Sequence, residues 1–284
     1  MEFKQRHVQC LSPSGLHRMA YTEWGEGDNP RVLVCVHGLT RNCRDFDDLA
    51  AAFARHYRVI CPDVAGRGLS DRLRDAASYA VPQYVADMVT LLARINVERV
   101  DWLGTSMGGL IGMALAALED SPIQRLVLND VGPVVEIDAL RRIAGYVGAD
   151  PTWASFDEAL AYVRSVSAPF GSLSEEAWRR LTESSLARRA DGRWGFRYDP
   201  RIAEGFRASF ADKDIDLWGL YDRIACPTLA IRGAESDLLS RAVWRQMGER
   251  GPRAALVEIP GVGHAPMFLD PNQISIVRDF LLAP

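Results

Sequence analysis

The sequence predicts an α/β fold: a doubly wound, mostly parallel β-sheet into which a helical cap is inserted. Three observations predict it. Six short runs, 32–37 (VLVCVH), 58–62 (RVICP), 99–103 (RVDWL), 125–129 (RLVLN), 228–232 (TLAIR) and 255–259 (ALVEI), are largely aliphatic without polar alternation, as strands buried on both faces are. Helical patterns lie between most of them, and strand–helix alternation implies right-handed crossovers. The stretch 134–222 has no such run but carries four of the seven tryptophans, Trp153, Trp178, Trp194 and Trp218.

In chain order, the N-terminal region is hairpin-like and contains His7 and His17. The run 32–37 ends in HGLTRN, and 58–62 ends in DVAGRGLSD. A helix follows over 81–96, with Val85, Met88, Leu91 and Leu92 at helical spacing. The run 99–103 leads through GTS into a small-residue helix, 107–118 (MGGLIGMALAAL), and 125–129 leads into DVGP. Amphipathic helices are expected over 135–147, 155–167 and 174–188. The last two strands alternate with helices over 240–250 and 272–282. The division is therefore a sheet domain from 1–133 and 223–284, with 134–222 as the cap.

Bulk properties exclude several classes. With 48% hydrophobic and 25% charged residues in 284, the chain has the composition of a soluble globular protein. A net charge of −4, with basic residues scattered, gives no nucleic-acid footprint. The opening MEFKQRHVQCLSPSG has no signal-peptide core, and no apolar stretch reaches the ~20 residues that span a bilayer. Five irregularly spaced cysteines suit a reducing compartment rather than a disulfide framework. The expected location is the cytoplasm, without stable membrane insertion. Homo-oligomerisation is left open.

LGTSMGGL (103–110) sets one serine between glycines. G-x-S-x-G arises by chance in roughly one chain in ten of this size, since glycine is about 7% of ordinary sequence, so its surroundings must carry the argument. Ser106 sits between a strand and a helix, the context a nucleophile elbow requires. Such a turn strains the serine and leaves no room for side chains at Gly104 and Gly108. Serine also needs a base. His7, His17 and His56 are expected at the surface. His264, in IPGVGHAPM directly after the last strand, lies at the same edge of the sheet as the elbow. The carboxylate that orients it comes from RGAESDLLS, with Asp237 favoured, or from NDVGP, with Asp130.

With these motifs in order, the chain resembles the α/β-hydrolase fold superfamily, in its capped, lipase- and esterase-like branch. The resemblance rests on HGLT (37–40), DVAGRGLSD (63–71), GTSMGG (104–109), GAESD (233–237) and GVGHAP (261–266). It implies a cofactor-independent serine hydrolase of small-molecule esters or related acyl bonds. Ser106 would be nucleophile, His264 base and Asp237 its orienting acid. The backbone N–H groups of Leu39 and Met107 would form the oxyanion hole, supported by His37, Gly38, Gly104 and Gly108. HGLT departs from the HGGG loop of many lipases, which argues against bulky tertiary esters. Alternatives within the superfamily are carbon–carbon bond hydrolysis and enol-lactone hydrolysis. A non-catalytic ligand receptor is the alternative from another class.

Other motifs point elsewhere more weakly. GRG (66–68) lacks the ending of a phosphate loop and reads as a turn, with Asp63, Ser70 and Asp71 bonding local backbone. Cys35 and His37 share a strand face, but no CxxC, HxH or HExxH accompanies them, so no metal is expected. Arg41, Asn42 and Arg67 belong either to the pocket mouth or to the surface. Arg188, Arg189 and Arg193 form either a wet face or a carboxylate site.

Overall fold

The computed structural model describes residues 2–210 and 213–283. Eight strands form one sheet: β1 (Lys4–Ser12), β2 (Gly15–Trp24), β3 (Val32–Val36), β4 (Arg58–Pro62), β5 (Val100–Thr105), β6 (Ile123–Asn129), β7 (Thr228–Gly233) and β8 (Ala255–Ile259). Their order is β1-β2-β4-β3-β5-β6-β7-β8. From β4 to β8 the pairs are parallel, while β1 and β2 form an antiparallel hairpin at one edge.

The continuous apolar runs have a direct physical cause. Along β3, Val34 and Val36 enter a core on one face, whereas Leu33 and Cys35 enter a second core on the other. All four are fully buried, and each such Val or Leu contributes about 1.5–3 kcal/mol. Helices cover both faces. The first core takes α2 (Val81–Ile95) and α3 (Met107–Ala116), and the second takes α1 (Asp47–Phe53) and α10 (Pro271–Leu281). Helix α2 stops at Asn96, whose left-handed conformation (φ 57°) closes its last turn.

Residues 134–222 contribute no strand to this sheet among the described residues. They hold α4 (Ile137–Tyr146), α5 (Phe156–Val166), α6 (Glu175–Ser185), α7 (Ile202–Ala208) and the single turn α8 (Trp218–Tyr221), before α9 (Arg241–Met247) rejoins the sheet domain. The segment is not wholly helical. Thr152–Trp153, Leu186–Arg188 and Trp194–Phe196 pair as a small antiparallel sheet. Aromatic side chains pack on it: Trp153 meets Phe196 of the third strand edge-on at 5.2 Å and Tyr162 of α5 at 5.0 Å. At its base, Val134–Val135 pairs with Ile215–Asp216, so the segment leaves and returns through one neck.

One histidine departs from expectation. His17 is buried, because the β1–β2 hairpin packs on α2 and the ring Nε2 lies 3.0 Å from Asp87 Oδ2. His7 and His56 are exposed.

Candidate active site

The strand β5 ends at Thr105, and α3 begins at Met107. Ser106 joins them at φ 53°, ψ −118°, a conformation that costs a non-glycine residue about 1–3 kcal/mol. The turn is tight. A Cβ at Gly104 would lie 2.2 Å from the Gly108 carbonyl oxygen, and one at Gly108 would lie 2.0 Å from that of Val36. Both glycines are therefore required by close backbone approach. The Ser106 N–H donates to Asn129 O at 3.0 Å, which ties the turn to the end of β6.

His264 approaches from the loop after β8. Its Nε2 lies 3.0 Å from Ser106 Oγ, and its Nδ1 lies 2.7 Å from Asp130 Oδ2. A carboxylate only accepts, so Nδ1 carries the proton and Nε2 is free to accept from the serine hydroxyl. The loop is held on both sides. The Gly263 N–H donates to Pro169 O of the inserted segment at 2.7 Å, and Asn129 Nδ2 donates to Pro266 O at 2.8 Å.

Asp237 does not occupy the position expected of it. Its side chain is 55% exposed and paired with Arg142 of α4, at 2.7 and 2.9 Å. Asp130 faces His264 instead, fully buried, and also accepts from the Gly233 N–H (2.8 Å) and Ser236 Oγ (2.6 Å). The reason is register. Asn129 is paired with Ile231, so Asp130 stands at the very end of β6, level with the elbow. Asp237 lies beyond the end of β7 at Gly233, and the loop there turns Ser236 inward rather than Asp237. The signal was present in the sequence, since Asp130 directly follows the strand after the elbow helix.

The HGLT loop stands against the elbow, a Cβ at Gly38 being 3.6 Å from Ser106 Cβ. Leu39 follows Gly38 there. Met107 opens α3, so its N–H is among the first-turn donors without an intrahelical acceptor. His37 beneath the loop is wholly buried. Its Nδ1–H donates to Gly38 O (2.7 Å), and its Nε2 accepts from the Val64 N–H (3.0 Å). Burial above all pushes its pKa down to about 3, and the nearby Arg67 and Arg41 charges act the same way. It is a neutral brace for the loop.

The arginines divide by partner. Arg41 is held by Asp45 (2.5 and 2.9 Å) and donates to Ser185 Oγ at 2.8 Å, while Asn42 donates to Ser184 O at 2.9 Å. Arg67 is 1% exposed, neither at a pocket mouth nor at the surface. Arg188 lies over the Trp194 ring, Arg189 pairs with Asp150, and Arg193 donates to Thr152. At the turn around GRG, Asp63 accepts from the N–H groups of Cys43 and Leu69, both at 2.8 Å.

Among the described residues, Cys10, His17 and Asp87 are the group whose ligand atoms could surround a metal, within 4.8 Å of one another. Burial first, and then Asp87, pushes the Cys10 thiol up to about 12, so it stays protonated. No helix among the described residues is long and apolar enough to cross a membrane.

Residues 31–271 match the alpha/beta hydrolase fold family. The chain is 54% identical to the 3-hydroxybutyrate-oligomer hydrolase of Cupriavidus necator over 280 residues, 96% of each protein. A solved alpha/beta hydrolase from Novosphingobium aromaticivorans superposes with a TM-score of 0.87 at 37% identity, covering 99% of this chain and 98% of that one. A solved Rickettsia typhi protein gives 0.91 at 30% identity, covering 99% of both.

Proposed function

The chain belongs to the alpha/beta hydrolase fold family, and we propose that it is a serine hydrolase cleaving esters of short hydroxy acids. The supporting observation is the unbroken chain from Ser106 Oγ through His264 to Asp130, at 3.0 and 2.7 Å. The similarity to the Cupriavidus necator 3-hydroxybutyrate-oligomer hydrolase supports the substrate class: oligomers of 3-hydroxybutyrate.

In this mechanism His264 Nε2 removes the hydroxyl proton as Ser106 Oγ attacks the ester carbonyl. Asp130 holds Nδ1–H and stabilises the imidazolium that forms. The oxyanion points at the N–H groups of Leu39 and Met107, each such donor being worth about 3 kcal/mol in other enzymes. Collapse expels the alcohol, which takes the proton from His264 and leaves an ester on Ser106. Water, deprotonated by the same nitrogen, then releases the acid. No step calls on a cofactor. Residues 134–222 act as the cap, and the Pro169–Gly263 bond ties it to the loop of the base.

The test is release of 3-hydroxybutyrate from its dimer and trimer, alongside p-nitrophenyl ester hydrolysis, by the wild type and Ser106→Ala. Turnover of both substrates that vanishes in the variant is the expected result. Ester turnover without oligomer cleavage would overturn the substrate class, and equal rates in both proteins would overturn the serine mechanism.

A further inference from the structure

We infer that Arg67 is a positioning residue that sets the two oxyanion donors against each other, an inference that rests on the role proposed above for Leu39 and Met107. The guanidinium is buried, yet among the described residues no carboxylate pairs with it. Its Nε donates to Leu39 O at 2.8 Å, and Nη1 donates to Ala65 O (2.6 Å) and to Tyr84 Oη (2.9 Å). Its Nη2 lies 3.7 Å from Met107 Sδ. The faces of Tyr79 and Tyr84 lie 5.6 and 5.2 Å from its central carbon.

A buried charge is costly unless every donor is satisfied, and here two of the partners are the residues that carry the oxyanion N–H groups. The pairing of β3 with β5 ends at Val36 and Gly104, so Leu39 lies three residues past the last paired residue, in a loop that the sheet does not hold. The planar fork of one arginine ties that loop to the first residue of α3, because its donors have a fixed mutual geometry. The fork is itself anchored. Gly66 and Gly68 take φ 81° and 56°. The Gly68 N–H donates to Arg197 O (2.8 Å) and the Asp199 N–H to Gly66 O (2.7 Å), so the inserted segment clamps the turn on both sides. The absence of a carboxylate partner also has a use. An unneutralised cation behind the oxyanion loops favours negative charge developing in front of them.

The test compares Arg67→Lys, which keeps the charge and loses the fork, with Arg67→Met, which keeps only the stem. Steady-state ester kinetics are read together with the inhibition constant of a trifluoromethyl ketone that forms a tetrahedral adduct. The expected result is a kcat roughly tenfold lower in the lysine variant and roughly a hundredfold lower in the methionine variant. KM should stay within about threefold, and affinity for the ketone should fall in parallel with kcat. A folded Arg67→Met with wild-type kcat, or one that loses kcat while binding the ketone as tightly as before, would overturn the inference. Should neither variant fold, Tyr84→Phe frees one arm of the fork. A fall in kcat and ketone affinity at constant KM then supports the inference, and no change overturns it. Mass-spectrometric detection of a fluorophosphonate adduct on Ser106 in the wild type checks the serine mechanism separately. Failure there sinks that mechanism, whereas an intact adduct with unimpaired Arg67 variants sinks only this inference.

Discussion

The Nδ1 of His264 lies 2.7 Å from Asp130 Oδ2, across the ends of two strands that are not neighbours in the sheet. Asp130 closes β6 and His264 follows β8, with β7 between them. Asp130 spans that gap by accepting from Gly233 and Ser236 of the intervening strand and its loop, so the carboxylate is held by contacts independent of the histidine. Three donors thus converge on one fully buried carboxylate and fix its orientation.

Asp130→Asn should lower kcat/KM for ester hydrolysis by about 10⁴, as loss of the orienting carboxylate does in comparable triads. Asp237→Asn should stay within about twofold, because an exposed ion pair such as Asp237–Arg142 is worth ~1 kcal/mol or less. Steady-state kinetics of the two variants side by side decide between the two aspartates. The opposite ranking would mean that the loop after β7 rearranges in solution.

Ser106→Gly should abolish activity and yet stabilise the fold. The strain at φ 53° is relieved at the expense of chain entropy, for a net gain of ~1 kcal/mol. Thermal unfolding should show a rise of about 2 °C or more. Ser106→Ala, which keeps a Cβ at the same dihedral angles, should lose activity without that gain.

Gly108→Ala should cost about 3 kcal/mol or more, since the new methyl would sit 2.0 Å from the Val36 carbonyl oxygen and the backbone cannot yield without parting α3 from β3. Urea unfolding measures the loss. Any folded fraction should also be impaired in catalysis, because Met107 moves with the helix end.

Acid should destabilise the protein in part through His37. Its pKa falls from about 6.5 unfolded to about 3 folded, so the unfolded chain binds a proton that the folded one refuses. Stability from this residue is complete above pH 6.5 and is lost as pH falls from there toward 3. Between pH 6.5 and 4 the loss should be ~3 kcal/mol greater in the wild type than in His37→Gln. Urea unfolding at the two pH values reads the difference, and equal losses in both proteins would show that His37 titrates normally.

The sheet was legible because buried parallel strands need apolar side chains on both faces, and a run such as VLVCV allows little else. The elbow was legible too. Gly104 answers to a contact within a few residues and Gly108 to one with the neighbouring strand β3, and strand-then-helix flanks mark the turn. His264 could be placed by its position after the last strand. What the chain order left open was decided by register. Both Asp130 and Asp237 follow strands near the serine, and only the pairing of Asn129 with Ile231 puts one of them level with His264 and sends the other to the surface. His17 and Arg67 went the same way. Their burial depends on which helix packs over the hairpin and which tyrosines close over the turn, and such contacts between distant segments leave no period in the sequence. Composition and local pattern thus determined the layers and the order of the motifs. Tertiary packing alone determined which charged side chain each motif would meet.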